Sequence, residues 1–562
     1  MSERVSLVRV PRNKSRWSNH WADRMARHVI RLGGFGVILA VILVVVVLLI
    51  NAAPVFHGAT VGTLKILARP VSIPSWIRVG SDEHNMLLWG VDREGVFHAA
   101  TLQQGEWIES FARQGNESTD ARVTTVQKSE DGSKVLLGFS NGLLRLHSLD
   151  FQSSITPLVE LDAALQERIR HSDSVQEGAV YRLRSSDQVR VTRLMSVPCI
   201  AEWKLPDAIN CADFFIDKET TNLDQVGSPA SVQWIAAVGT RIYSNRSRLS
   251  RSTDFDENTT ENSLPNLSNQ THPSIDISSL SNRPIVAIRI GSRNERATVV
   301  DDRGELFRLK LSSNDHPTLV DRFFASDRDE SPNECVDVCS LLGRESLYLS
   351  FADGDVSGYF EVRTLEGSPT TPHLARVHHI ESETQERLRL AASPMARMIA
   401  SIQSNGRVAI RYTPTEELIS ELHFPIDGKS LLDFGFSPRG DLIFALDQDH
   451  LYTVSFDPGY PEVRWRSLLM PVWYEGYDKP RWIWQSSSGV HISEVKLSLV
   501  PLLFGTFKAT LYAMLIAIPL ALLSALYTSE FVDRRIRNWI KPAIEWMATV
   551  PSVVLGFVAA FV

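Results

Sequence analysis

Four cysteines, Cys199, Cys211, Cys335 and Cys339, are the residues of this 562-residue chain whose type and spacing first suggest covalent chemistry. In an oxidising compartment they can form two local disulfides, Cys199 with Cys211 and Cys335 with Cys339; buried free thiols are the equal alternative. Zinc fits poorly, because neither pair has CxxC spacing and no histidines cluster beside them. No GxxxxGK[ST] loop occurs, so the chain has no P-loop to cradle nucleotide phosphates. Nothing in the sequence assembles a nucleophile with a base, so no catalytic residue, metal site or cofactor is assigned.

A second kind of chemistry is suggested by polar groups set in apolar surroundings. Lys508 interrupts the stretch LSLVPLLFGTFKATLYAMLIAIPLALLSALY (497–527), where it can attract an incoming anion or simply snorkel to a membrane interface. Further on, Pro551, Ser552 and Gly556 lie in a fully apolar stretch. Pro551 and Gly556 would bend or break a helix there, and freed backbone groups are tolerated at membrane depth only inside protein or beside a water-filled path. Lys508, Pro551, Ser552 and Gly556 are therefore the candidates for a translocation path, with a purely structural kink as the plainer reading of Pro551 and Gly556. Gly505, Ala509 and Ala513 lie four apart and form a small-residue stripe for close helix packing. Glu545, near the start of a third apolar segment, suits the positive end of a helix dipole or a pairing with Arg534 or Arg535.

These residues need elements to position them, and the apolar segments supply the first. Residues 32–50 read LGGFGVILAVILVVVVLLI, uncharged and long enough to cross a hydrocarbon core of roughly 30 Å. The leader before it is too extended and the apolar run too long for a cleaved signal peptide. Arg9, Arg12, Lys14, Arg16, Arg24, Arg27 and Arg31 precede it against Glu3 and Asp23, which places residues 1–31 in the cytoplasm. The second span, within 497–527, is followed by Arg534, Arg535, Arg537 and Lys541 and returns the chain to that side. A third span is expected from about Ile544 to Val562, where the sequence reads as ending inside a helix. Transmembrane helix 1 is thus assigned to 32–53, an aromatic interfacial linker with Trp473, Tyr474, Tyr477, Trp482 and Trp484 to 471–496, and the start of a membrane core to 497–562.

Between the first two spans, residues 55–470 form one continuous block that this topology puts outside. Short alternating apolar runs separated by Asp-Gly, Asn-Gly and Ser-Pro turns mark it as β-rich. A turn–strand–turn–strand unit recurs at 129–149, 345–362, 393–412 and 437–456, with weaker copies at 86–102, 232–244 and 296–311. The last two strong copies are spaced by roughly the period of a WD40-like blade. The expectation is a large all-β propeller of seven blades, with eight as the alternative count. Each DG or NG is read as a hairpin turn that needs positive φ, not as a calcium or catalytic site. Residues 245–282 are dense in Ser, Asn, Thr and Asp and read as a long exposed loop. The formal charge of -7 and the lack of a basic stripe outside the membrane flanks argue against nucleic acid.

The C-terminal stretch carries LLFGT (502–506), IPLAL (518–522), YTSEF (527–531), KPAIE (541–545) and VPSVVLGF (550–557) in this order. Over about seventy residues it resembles the start of the permease core in phosphate ABC importers, the PstC-type subunit. The resemblance implies a mixed membrane protein: transmembrane α-helices of the ABC importer permease type plus the propeller insertion. It also implies transport of inorganic phosphate rather than enzymatic turnover, and a location in the bacterial inner membrane with the large domain periplasmic. The partners it implies are a second homologous permease subunit, a dimer of ATPase subunits holding ATP and magnesium, a periplasmic phosphate-binding protein and the lipid bilayer. The chain departs from that family in its huge exterior domain and in lacking the later helices and the cytoplasmic loop that docks on the ATPase, which gives it the look of a C-terminally incomplete permease. A membrane-tethered propeller scaffold or sensor without transport activity is the alternative.

Overall fold

The computed structural model describes residues 17–68, 76–102, 107–111, 121–176, 178–217, 231–248, 272–278, 281–292, 295–312, 316–324, 333–362, 373–381, 385–426, 431–486, 494–550 and 552–561. They divide into two units, one of 1–464 with 475–478 and one of 465–474 with 479–562.

In the first unit the described residues form eight four-stranded antiparallel sheets. Seven are blades whose first strands stand side by side around an axis: Trp76–Ser81 (blade 1), Val123–Lys128 (blade 2), Cys211–Asp217 (blade 3), Ile285–Ile290 (blade 4), Cys335–Ser340 (blade 5), Arg389–Ala392 (blade 6) and Asp433–Phe436 (blade 7). The expected repeat units are the second and third strands of these blades. For example, 393–412 holds Met398–Ile402 and Arg407–Tyr412, paired from Met398 with Tyr412 to Ile402 with Val408. The turns behave as expected too: Gly132, Gly142, Gly354 and Gly406 all have φ between 66° and 87°, where a Cβ is strained.

The eighth sheet is not a blade. Its strands Asp150–Pro157, Ser174–Gln176, Ala179–Leu183 and Gln188–Ser196 are inserted between the third strand of blade 2 and its fourth, Cys199–Lys204. The Ser148 N–H donates to the Pro198 carbonyl at 3.0 Å, so the insertion leaves and returns at one point.

Ring closure comes from a strand far away in sequence. Thr60–Ala68 pairs antiparallel with His450–Asp457, from Thr60 with Asp457 to Ala68 with His450, and completes blade 7. Among the described residues the hydrophobic core accordingly lies between blades in seven clusters, and a small eighth sits under the inserted sheet. One of the seven joins Trp76, Val79 and Leu88 of blade 1 to Leu442, Phe444 and Leu451 of blade 7, so the ring has no open joint. Fully buried Trp89, Trp203, Trp234, Tyr348 and Phe307 fill these seams, and at about 25 cal/mol per Å² such rings dominate the burial term. Backbone strands pass close to them: a Cβ on Gly90 would lie 2.2 Å from the Trp76 ring.

The helices are simpler. Trp17–Ala52 contains the first expected span and leads into the closing strand through a 3-10 turn at Ala53–Phe56. In the second unit, Val500–Leu526 runs into a π-helical turn at Tyr527–Phe531, and Asp533 caps the helix Arg534–Thr549. Two helical stretches among the described residues, Arg31–Phe56 and Val500–Phe531, are long and apolar enough to cross a membrane. The apolar segment expected from about Ile544 is helical on either side of a break. Helix Arg534–Thr549 ends within it, and helix Ser552–Phe561 follows. The physical reason is Pro551, which disfavours helical backbone at Val550, where ψ is 127°.

Candidate functional site

Around the propeller axis, charged side chains on the innermost strands tie each blade to the next. Asp213 of blade 3 accepts from the Ile290 N–H of blade 4 at 2.7 Å, and Arg289 of blade 4 donates to the Val338 carbonyl of blade 5 at 2.7 Å. Asp337 of blade 5 accepts from the Leu390 N–H of blade 6 at 2.9 Å, and Arg389 of blade 6 donates to the Leu432 carbonyl, just before blade 7, at 3.2 Å. Asp433 of blade 7 then accepts from the Val79 N–H of blade 1 at 2.9 Å, and Arg78 of blade 1 donates to the Val126 carbonyl of blade 2 at 3.2 Å. Acceptor and donor alternate because an innermost strand presents either an N–H or a C=O at the seam, and each needs its complement.

Seven is odd, so the alternation must fail once, and it fails between blades 2 and 3. There Arg344, in the first hairpin turn of blade 5, reaches Asp213 at 3.1 Å, the Phe214 carbonyl at 3.0 Å and Glu130 of blade 2 at 3.2 Å. It does so from φ 55°, a left-handed backbone rare for a branchless long side chain.

Two cavities open on this axis. One, of about 240 Å³, is lined by Arg78, Lys128, Glu130, Asp337 and Arg344 among others. The other, of about 460 Å³, takes Arg78, Arg93, Arg122 and Arg389 with Thr124 and Thr125, and among the described residues no carboxylate lines it. Arg78 and Arg389 belong to both. Arg78 bonds to Asp433 at 2.6 Å, and Lys128 stands 4.0 Å from the same fully buried carboxylate. Burial pushes the Asp433 carboxyl up, but Arg78 and Lys128 outweigh it and hold the group below its ordinary value. Burial also pulls the Lys128 ammonium down to about 8, against the attraction of Asp433.

No sequence motif marks this site. The linear order holds no basic stripe outside the membrane flanks: residues 78, 93, 122 and 389 come together only because blades 1, 2 and 6 share an axis.

The four cysteines are free thiols, and Cys339 alone of them lines the smaller axial cavity among the described residues. Cys335 and Cys339 sit four residues apart along one strand, roughly 13 Å at strand rise, beyond the reach of a disulfide. Cys199 and Cys211 lie in blades 2 and 3. The two-disulfide alternative thus gives way to the buried thiols. Burial pushes Cys199 up to about 11 and Cys211 and Cys335 up to about 12. Among the described residues no group of His, Cys, Asp and Glu could hold a metal ion.

The candidates in the apolar segments are placed as follows. Lys508 is exposed on helix Val500–Leu526, its ammonium 5.7 Å from the Tyr512 ring centroid. Gly505, Ala509 and Ala513 form the expected stripe on the same helix, all exposed, and a Cβ on Gly505 would meet nothing within 4 Å. Gly556 is equally open in the helix Ser552–Phe561; Pro551 and the Ser552 side chain fall outside the described residues. The structure does not bring Lys508 against Gly556. Glu545 forms no ion pair with Arg534 or Arg535 among the described residues, because eleven or ten positions along one helix separate them by about 15 Å. Of the aromatic linker, Tyr474 is buried while Trp482 and Trp484 are exposed. The exposed-loop reading of 245–282 falls mostly on 249–271, outside the described residues, although Ser274–Asp276 forms the fourth strand of blade 3.

No family model matches the chain. Over 66 residues it is 35% identical to the probable ABC transporter permease protein YqgH of Bacillus subtilis (strain 168), a stretch covering 12% of this chain and 21% of that protein. The chain thus spans about a fifth of the length of that relative. Among solved structures it is similar to the β-propeller domain of Myceliophteria thermophila Cps50 (Swd1), with TM-score 0.42, 11% identity, and 70% and 99% of the two chains covered. Chaetomium thermophilum Raptor matches with TM-score 0.41 and 11% identity over 71% of this chain and 30% of that one.

Proposed function

We propose that this chain is a membrane-spanning permease subunit of an ATP-driven phosphate importer, with its N-terminus in the cytoplasm and its propeller on the outer face. The observation that carries the reading is the similarity to an ABC transporter permease, taken with the ordered motifs on Val500–Leu526, the π-helical YTSEF turn and the basic helix after it. A π-turn within an apolar helix often marks a functional position. The open Gly505, Ala509, Ala513 face suits a neighbouring helix, which a second permease subunit would supply. Lys508, Pro551, Ser552 and Gly556 are the candidates along the path; Lys508 adds a positive charge that an incoming anion would meet first. ATP binding and hydrolysis belong to partner ATPase subunits, and phosphate would arrive on a periplasmic binding protein.

A second reading, a membrane-tethered propeller scaffold, draws on the completeness of the seven-blade ring, which closes on its own N-terminal strand. The two separate on radioactive phosphate uptake by cells deleted for the endogenous gene and complemented with the complete reading frame or with a form lacking residues 60–470. Transport requires ATP-dependent uptake restored by the complete form. Stable expression without uptake by either form leaves the scaffold reading.

A further inference from the structure

We propose that the propeller binds a small tetrahedral oxyanion of the phosphate class at the axial mouth formed by Arg78, Arg93, Arg122 and Arg389. Four arginines line one cavity of about 460 Å³, and among the described residues no carboxylate lines it. The nearby acids do not cancel them. Asp433 serves Arg78 and Lys128 together, and Asp337 faces the other cavity, accepting from the Leu390 N–H. Among the described residues, these five cations against two carboxylates leave an excess of positive charge at the mouth. Arg389 spends its hydrogen bonds on the Leu431 and Leu432 carbonyls, which satisfy its donors without neutralising it.

Arg93 and Arg122 are the groups free to move onto a ligand. Both are exposed, and neither side chain has a hydrogen bond or ion pair among the described residues. Their backbones, by contrast, are fixed: the Arg93 carbonyl accepts from the Val123 N–H at 2.8 Å, and the Arg122 N–H donates to the Ser140 hydroxyl at 3.0 Å. Glu94 follows Arg93 in the same turn but does not line the cavity. Guanidinium forks match the paired oxygens of an oxyanion better than a halide's single point of contact, and a cavity with one sign of charge concentrates such ions. The site rests on the propeller alone and holds whether or not the chain transports.

The test is calorimetric titration of inorganic phosphate into the detergent-solubilised full chain, at ionic strength held constant with chloride. Saturable binding is expected, at least ten-fold weaker in an Arg93→Gln/Arg122→Gln double variant and unchanged in Arg407→Ala, a remote surface control on blade 6. Both rim residues are exposed, and an unchanged melting temperature verifies folding of the variant. Absence of saturable phosphate binding, or equal binding by parent and double variant, overturns the proposal; the second result would place phosphate elsewhere in the chain. Because binding is read without uptake, failure of the transport reading leaves this result interpretable.

Discussion

Asp433 shows how much one side chain does at a blade seam. It accepts from the Val79 N–H and faces both Arg78 and Lys128 with no exposure of its own. Asp433→Ala would leave two half-buried cations and one N–H without their acceptor, so a loss of about 3–5 kcal/mol is expected in denaturant unfolding. Asp337→Ala removes an acceptor for the Leu390 N–H but no ion pair among the described residues, and should cost about 1–3 kcal/mol. Equal losses would contradict the ranking.

His147 supplies a pH dependence. It is buried against the Phe97 ring at 5.1 Å, and burial pulls it down from 6.5 to about 4. The unfolded chain therefore binds more protons between those values. Stability is fully present above pH 6.5 and falls as the pH drops toward 4, by up to about 3 kcal/mol in total. A His147→Phe variant should flatten that slope; an unchanged slope would assign it to other groups. The thiols give a third check at this scale. Ellman titration without reductant should count four thiols after denaturation and almost none before it, whereas a denatured count of two or zero would restore disulfides. None of these partnerships is visible in the linear sequence, since Asp433 and Val79 are 354 positions apart.

At the scale of elements the hairpins were legible and the joints were not. Every repeat unit read from Asp-Gly and Asn-Gly turns is a strand pair of a blade, because alternation and positive-φ turns are local signals. The inserted sheet was not read as such: its strands alternate like blade strands, and its pairing order and the helix Ala163–His171 set it apart. The closing strand Thr60–Ala68 was likewise hidden, because its partner lies near residue 454. Deleting 60–68 should expose the edge of His450–Asp457 and remove the clasp. Limited proteolysis is then expected to cut blade 7 early, and an unchanged resistant core would mean that the ring closes without it. Replacing 150–196 with a short turn should leave a folded ring, since Ser148 and Pro198 are already hydrogen-bonded. It should nevertheless melt lower, because Val180 and Leu194 are buried in the blade 1–2 core. The C-terminal apolar stretch shows a signal that was legible: Pro551 marks a break, and the helix before it ends with Val550 extended.

For the whole molecule, the proposal sets a closed propeller outside the membrane between two apolar helices, with the basic residues Arg534, Arg535, Arg537 and Lys541 inside. Transport, the scaffold alternative and the access of oxyanions to the axial mouth all depend on that sidedness. It is tested directly by labelling single introduced cysteines with a membrane-impermeant maleimide in intact spheroplasts, since the native thiols are buried or half-buried. Asn405→Cys, in an exposed hairpin turn of blade 6, is expected to label at once, and Asn538→Cys, exposed on the basic helix, only after permeabilisation. Labelling of Asn538→Cys in intact spheroplasts, with Asn405→Cys protected, would contradict the account.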